Sequence, residues 1–252
     1  MEQLADDRGV IVAAADGTAD PSGTTFWAAT DACCNFYASS VDDSGFIRAL
    51  IEAVQDGWPV DPHRIYVTGH SNGGFMSYRM ACDHADLIAG IVSLAGAAFD
   101  HAATPLPHNA AYSCAPSEPV HVLQIHGTSD GTISYGGGSI NGHRYPSALG
   151  SVRRFAAFNG CDDTVSPIGN TLSPELSWDL VQPQGDDTAN SWHDNCRPGG
   201  SAELWIVEGG GHSPQMCADV EIEDNACTPP TADGLARLTA RMVDWLLQRR
   251  KP

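Results

Sequence analysis

Positive charge is what this chain has least of. Its 13 lysines and arginines face 31 aspartates and glutamates, for a formal net charge of −18 and a pI near 4.6. A surface of that sign repels phosphate backbones and anionic lipid heads, which argues against nucleic-acid and membrane-surface partners. No apolar run approaches the ~18 residues needed to span a bilayer. Metal-type cysteine spacing is missing as well. There is no C-x-x-C pair, and His193 with Cys196 has no second pair to complete a zinc site. No metal or other cofactor is expected. Residues 1–20 also lack the basic stretch leading into an apolar one that marks a secretion signal.

Cysteine, by contrast, is abundant: Cys33, Cys34, Cys82, Cys114, Cys161, Cys196, Cys217 and Cys227. An even number without metal spacing reads as a disulfide framework, and hence an oxidising compartment. Eight cysteines allow 105 pairings. The expected bonds are Cys217–Cys227 across a short loop, then Cys161–Cys196 and Cys82–Cys114. Together with the absent leader, this points to the mature or cut-down form of an exported protein, secreted or periplasmic. With 252 residues, 42% of them hydrophobic, the chain can fill a sizeable core.

Strand and helix patterns alternate along the chain. Val10 to Ala15, bounded by Gly9 and Asp16-Gly17, has the pattern of a buried strand. Residues 17–42 are loop-like. Asp43-Ser44 is placed to cap a helix whose apolar face holds Phe46, Ile47, Leu50, Ile51 and Val54, and Gly57-Trp58-Pro59 stops it. Further strands are predicted at Ile65–Thr68, Ile88–Leu94, Val120–Ile125 and Glu203–Val207. Helices are predicted after Ser71 as far as Cys82, over 147–158, and on a final stripe of Leu235, Leu238, Met242, Trp245 and Leu246. This last helix runs to Arg249-Arg250-Lys251, cations that suit a helix C-terminus. Such alternation predicts a mostly parallel sheet flanked by helices, in one domain over residues 1–252.

One corner carries the chemistry. The strand Ile65–Thr68 runs into Gly69-His70-Ser71-Asn72-Gly73-Gly74, and a helix leaves at once. A G-x-S-x-G string is weak by itself; strand before and helix after are the context it needs. Glycines clear the crowded turn, and the hydroxyl lies at a helix N-terminus, where partial positive charge favours an anion. A serine nucleophile requires a base, and the base an orienting acid. Asp130 follows the strand VHVLQI in His126-Gly127-Thr128-Ser129-Asp130; Asp100 and the pair Asp162-Asp163 are the alternatives. His212 follows ELWIV in Glu208-Gly209-Gly210-Gly211-His212, three glycines giving a flexible approach. His70 and His126 sit beside this site and shape it, while His84, His101, His108 and His143 read as surface or loop residues. Trp27, Tyr135 and Trp192 are candidates for an apolar or aromatic acyl pocket, with a packing role as the competing reading; Trp27, His70 and Tyr135 are carried forward as substrate-binding candidates.

GHSNGG, HGTSD and GGGH in this order resemble the secreted polyhydroxybutyrate depolymerases and feruloyl/acetylxylan esterases, a carbohydrate-esterase-like branch of the α/β-hydrolases. FWAATDACCN, DDSGFI and YVTGHSNGGFMSYRMAC are similar to that group too. The resemblance implies an α/β-hydrolase fold and a serine esterase acting on small or polymeric esters, with Ser71, Asp130 and His212 as its triad. Two departures stand out. His212 is followed by Ser213-Pro214-Gln215 and a cysteine-bearing insertion in place of the family's tryptophan and proline. No His-Gly precedes Val10, so the chain is expected to lack the family's first strands and the oxyanion donor that loop supplies. Asn72 N–H is the expected first donor, and the loop 17–30 the candidate source of the second.

The expected reaction is acyl transfer: His212 takes the proton of Ser71, Asp130 holds the imidazole tautomer, and Asn72 N–H receives the developing oxyanion. A triad alone does not separate ester from amide cleavage, so a serine peptidase of the same fold stays open. So does a truncated, non-catalytic polymer-binding domain. An uncovered sheet edge would favour a homodimer.

Overall fold

The computed structural model describes residues 2–99, 114–161, 164–168, 176–182, 196–207, 209–213 and 232–252. The chain opens with α1 (Glu2–Arg8), then a small hairpin of β1 (Thr18–Ala19) and β2 (Thr25–Phe26), and α2 (Asp43–Gly57). It continues through β3 (Tyr66–His70), α3 (Asn72–Asp83), β4 (Gly90–Leu94) and β5 (His121–Gly127). A second hairpin, β6 (Gly138–Ile140) and β7 (His143–Tyr145), leads to α4 (Ala148–Phe158). Strands β8 (Thr164–Ile168), β9 (Leu176–Gln182) and β10 (Ser201–Val207) and helix α5 (Ala232–Leu247) complete the order.

Six strands make one sheet in the order β3-β4-β5-β10-β9-β8. The first four are mutually parallel, while β9 is antiparallel to β10 and β8 antiparallel to β9. The central strands β4, β5 and β10 are buried throughout and built mainly on apolar residues, with a few buried polar ones. Alternation divides their side chains between two layers. Ile91 and Val122 pack with Phe75, Tyr78 and Met80 of α3, and Leu204 and Ile206 with Val152 and Ala156 of α4. Val92, Leu123, Ile125, Trp205 and Val207 turn the other way, onto Leu238, Met242, Trp245 and Leu246 of α5. The sheet is therefore covered on both faces, as the alternating pattern predicts. Two of the expected disulfides, Cys82–Cys114 and Cys161–Cys196, are formed; Cys33 and Cys34 bond to each other, and Cys217–Cys227 lies outside the described residues.

Several expectations are corrected. Val10 to Ala15 is not a strand. Gly9, at φ +62°, closes α1: its N–H bonds Asp6 O and the Val10 N–H bonds Ala5 O, the paired bonds of a Schellman cap. With no strand beside them among the described residues, Ile11 and Val12 stay half exposed (50% and 49%). The cap of α2 is Asp42, whose side chain accepts from Gly45 N; Asp43 is buried and instead accepts from Thr18 Oγ1 and Ala28 N. Phe46 is exposed, and the contact of α2 with the core is made by Ile47 and Ile51. The basic end is not a solvated dipole complement. Arg249 is buried against Glu203 at 2.7 Å and over the Trp245 ring, and Lys251 against Ala85 O and Glu118.

Candidate active site

Parallel strands end at one edge of a sheet, and that is how distant residues meet here. Ser71 follows β3, Asp130 follows β5 and His212 follows β10, all at the carboxyl edge. Ser71 sits at φ 54°, ψ −117° as the N-cap of α3, backbone that costs a non-glycine residue about 1–3 kcal/mol. Its N–H bonds Leu94 O at 2.8 Å and its carbonyl accepts from Phe75 N, so neighbouring structure holds the strained residue in place. Glycine at 69 is obligatory, because a Cβ there would collide with the backbone carbon and oxygen of Gly73.

The three side chains meet. Ser71 Oγ–H points to His212 Nε2 at 2.8 Å, and His212 Nδ1–H donates to Asp130 Oδ2 at 2.9 Å. The Asp130 side chain is fully buried, whereas that of His212 is 23% exposed, so the imidazole reaches solvent with a dry carboxylate behind it. The other oxygen of Asp130 accepts from the N–H groups of Thr132 at 2.8 Å and Ile133 at 2.9 Å. Burial works to raise the carboxyl's pKa, but the bonds from His212, Ile133 and Thr132 outweigh it and hold the group below the ordinary carboxylate range. The loop before His212 is not the flexible approach its three glycines suggest. Ser129 N bonds Gly210 O at 2.9 Å and Gly209 N bonds Thr128 Oγ1 at 2.8 Å. Gly127 packs so close to Gly210 that a Cβ would strike its carbonyl, so the glycines serve close packing of the two loops.

The remaining expected residues fall into place around these three. His70 donates from Nε2 to His212 O at 2.6 Å, with ring centroids 4.8 Å apart. Tyr135 meets the buried His126 edge-on, ring centroids 5.9 Å apart, and packs beside α4. Trp27 stacks on Phe46, and its backbone is clamped by Asn72: Trp27 N donates to Asn72 Oδ1 at 2.7 Å, and Asn72 Nδ2 donates to Trp27 O at 3.0 Å. Asn72 N–H lies in the first turn of α3, where a helix cannot satisfy its own donors. The backbone N–H groups of residues 27–30 are all engaged elsewhere. The N–H of Trp27 goes to Asn72, that of Ala28 to Asp43, that of Ala29 to Trp27 O and that of Thr30 to Cys33 O. Trp192, Asp100, Asp162 and Asp163 lie outside the described residues. Sequence reasoning missed the Asn72–Trp27 clamp, and no local signal would have found a bond spanning 45 residues.

Comparison with known proteins agrees with this architecture. Residues 39–160 match the phospholipase/carboxylesterase family of hydrolases. The chain has the α/β-hydrolase fold. Feruloyl esterase B of Piromyces equi is 31% identical over 210 residues, which cover 81% of this chain and 34% of that protein. The putative esterase NocK of Nocardia uniformis subsp. tsuyamanensis is 32% identical over 52% of this chain and 34% of its own length. Feruloyl esterase D of Neurospora crassa is 26% identical over 69% of this chain and 49% of its own. The chain thus spans between 34% and 49% of these relatives' own lengths. Its resemblance to the feruloyl and acetylxylan esterase branch, first carried by the serine, aspartate and histidine blocks, extends over most of the sequence.

Proposed function

We propose that this hydrolase is an exported serine esterase that cleaves carboxylic esters of the feruloyl type through a covalent acyl-enzyme. The observation that carries this reading is His212 bridging Ser71 and the buried Asp130 through its two ring nitrogens. Ser71 Oγ attacks the ester carbonyl carbon while His212 Nε2 takes its proton; Asp130, ionised, keeps the other imidazole proton on Nδ1 and stabilises the imidazolium. The tetrahedral oxyanion forms beside the N–H of Asn72, at the positive end of α3. Collapse expels the alcohol, which collects the proton from His212, and water then repeats the sequence on the acyl-enzyme. A neutral imidazole is required for the first proton transfer. The names of the relatives support an aromatic acyl group, and the disulfides support an oxidising, extracellular setting.

The test pairs a substrate panel with Ser71→Ala. Methyl ferulate, p-nitrophenyl acetate, a hydroxybutyrate oligomer and a peptide anilide are offered to both proteins. Ester turnover, fastest on methyl ferulate, is expected in the parent and lost in the variant without change in circular dichroism. Retention of most ester cleavage in Ser71→Ala would sink the assignment, and preferential cleavage of the anilide would replace the esterase with a peptidase.

A further inference from the structure

Strand β5 is buried along its whole length, yet two of its residues on one face are polar: Gln124, 0% exposed, and His126, 1% exposed. Their neighbours Leu123 and Ile125 turn to the α5 side, so the two polar groups lie together on the opposite face. Burying polar side chains in a dry strand is unfavourable unless they are bonded, and these are bonded in one line. Gln124 Nε2 lies 3.0 Å from Gly96 O and 2.9 Å from His126 Nδ1. A carbonyl oxygen only accepts, so the Gln124 nitrogen must face it, and the second amide hydrogen then points at His126 Nδ1. That nitrogen must accept, which leaves the ring proton on Nε2. Nε2–H in turn faces Ile133 O at 2.8 Å and Asp130 Oδ2 at 3.2 Å. Gln124 Oε1 has no partner among the described residues. The fold tolerates that orphan acceptor in order to aim both amide hydrogens.

We propose that Gln124 and His126 form a fixed hydrogen-bond relay that positions Asp130, making His126 a positioning residue for the proton transfer between Ser71 and His212. This rests on the reading of those three residues as the triad. Asp130 Oδ1 is held by two backbone donors; Oδ2 accepts from His212, and the His126 Nε2–H, bonded to Ile133 O, lies 3.2 Å from Oδ2 as a second, weaker donor. The second donor fixes where Oδ2 sits relative to the imidazole and spreads its charge, so that its bond to His212 Nδ1 stays aligned through the transition state. Burial lowers the pKa of His126, and the facing amide hydrogens of Gln124 exclude a proton from Nδ1, so the relay stays neutral while His212 gains and loses its charge.

His126→Phe keeps a ring of similar shape and removes both nitrogens; His126→Gln restores a donor at the Nε2 end. With rates normalised to sites titrated by a serine-directed phosphonate, His126→Phe is expected to lower kcat on p-nitrophenyl butyrate about tenfold or more with KM within about twofold. His126→Gln recovers most of that loss. The low-field proton resonance of His212 Nδ1–H shifts in the first variant and returns in the second, a signature that a merely structural role would not move. Nitrogen-15 shifts of the parent's His126 should report a protonated Nε2 and a bare Nδ1. A kcat for His126→Phe within about threefold of the parent overturns the relay, while continued labelling of Ser71 by the phosphonate leaves the serine assignment standing. Should His126→Phe not fold, the parent's nitrogen-15 spectrum decides: a proton on Nδ1 of His126 refutes the proposal.

Discussion

Replacing Asp130 by Asn changes almost no volume, and the structure dictates which way the new amide must face. The N–H groups of Thr132 and Ile133 point at Oδ1 from 2.8 and 2.9 Å and can only donate. The amide oxygen therefore takes the place of Oδ1, and the NH2 takes the place of Oδ2, 2.9 Å from His212 Nδ1. A donor now faces Nδ1, so the imidazole moves its proton to Nε2. There it faces Ser71 Oγ and can no longer accept the hydroxyl proton. The expected loss is on the order of 10³–10⁴ in kcat, about 4–5.5 kcal/mol of barrier at ~1.36 kcal/mol per decade, with KM little changed. Folding also suffers, because the buried NH2 meets His126 Nε2–H and leaves a donor unsatisfied, at about 1–3 kcal/mol. Stopped assays on p-nitrophenyl butyrate, normalised by circular dichroism, separate the two effects. An Asp130→Asn protein that folds and turns over within tenfold of the parent would refute the reasoning, since no tautomer would then have been reversed.

Two further outcomes follow from the same groups and from the disulfides. Burial depresses protonation of His126, so the unfolded chain takes up a proton that the folded chain refuses; the associated stability is complete above the ordinary imidazole value of about 6.5 and declines below it by up to about 1.4 kcal/mol per pH unit. Urea unfolding between about pH 7 and pH 5 should show this slope, and His126→Gln should flatten it; identical slopes in the two proteins would contradict the buried neutral imidazole. Cys82–Cys114 joins residues 32 apart, so the double replacement by alanine should cost about 3–4 kcal/mol through the freed unfolded chain, read as a lower urea midpoint, and a loss below about 1 kcal/mol would speak against the bond.

What could be read from the sequence was what local chemistry fixes. The corner at Ser71 announces itself because a glycine must stand at 69, and the strand before it and helix after it have distinct periods. Asp130 and His212 were legible because each follows an apolar run that ends in glycine at a sheet edge. Where the reading failed, the deciding partner lay far along the chain or did not exist. Val10 to Ala15 has strand composition but no strand beside it among the described residues, and β-structure is a property of pairs. The antiparallel strands β8 and β9 went unread although they pair along five positions; Pro167 in β8 is a residue that demotes a strand pattern, and β8 tolerates it as the sheet's outer strand. The cations at 249 and 251 were read only as complements to a helix C-terminus because nothing local shows that Glu203 and Ala85 O are waiting for them.

Position along the sheet also explains why the site tolerates a strained serine. The cost at Ser71, about 1–3 kcal/mol, is set against bonds that would have to break before the backbone could relax: Ser71 N to Leu94 O, Phe75 N to Ser71 O, and the paired bonds between Asn72 and the Trp27 backbone. These attach the corner to three different parts of the chain, so relaxation in any one direction breaks contacts in another. The histidine is fixed by the same logic, with Gly210 packed on Gly127 and the His212 carbonyl held by His70. A hydroxyl and an imidazole mounted on such supports are held 2.8 Å apart, and the proposed acyl transfer would require little reorganisation of the protein when charge begins to move.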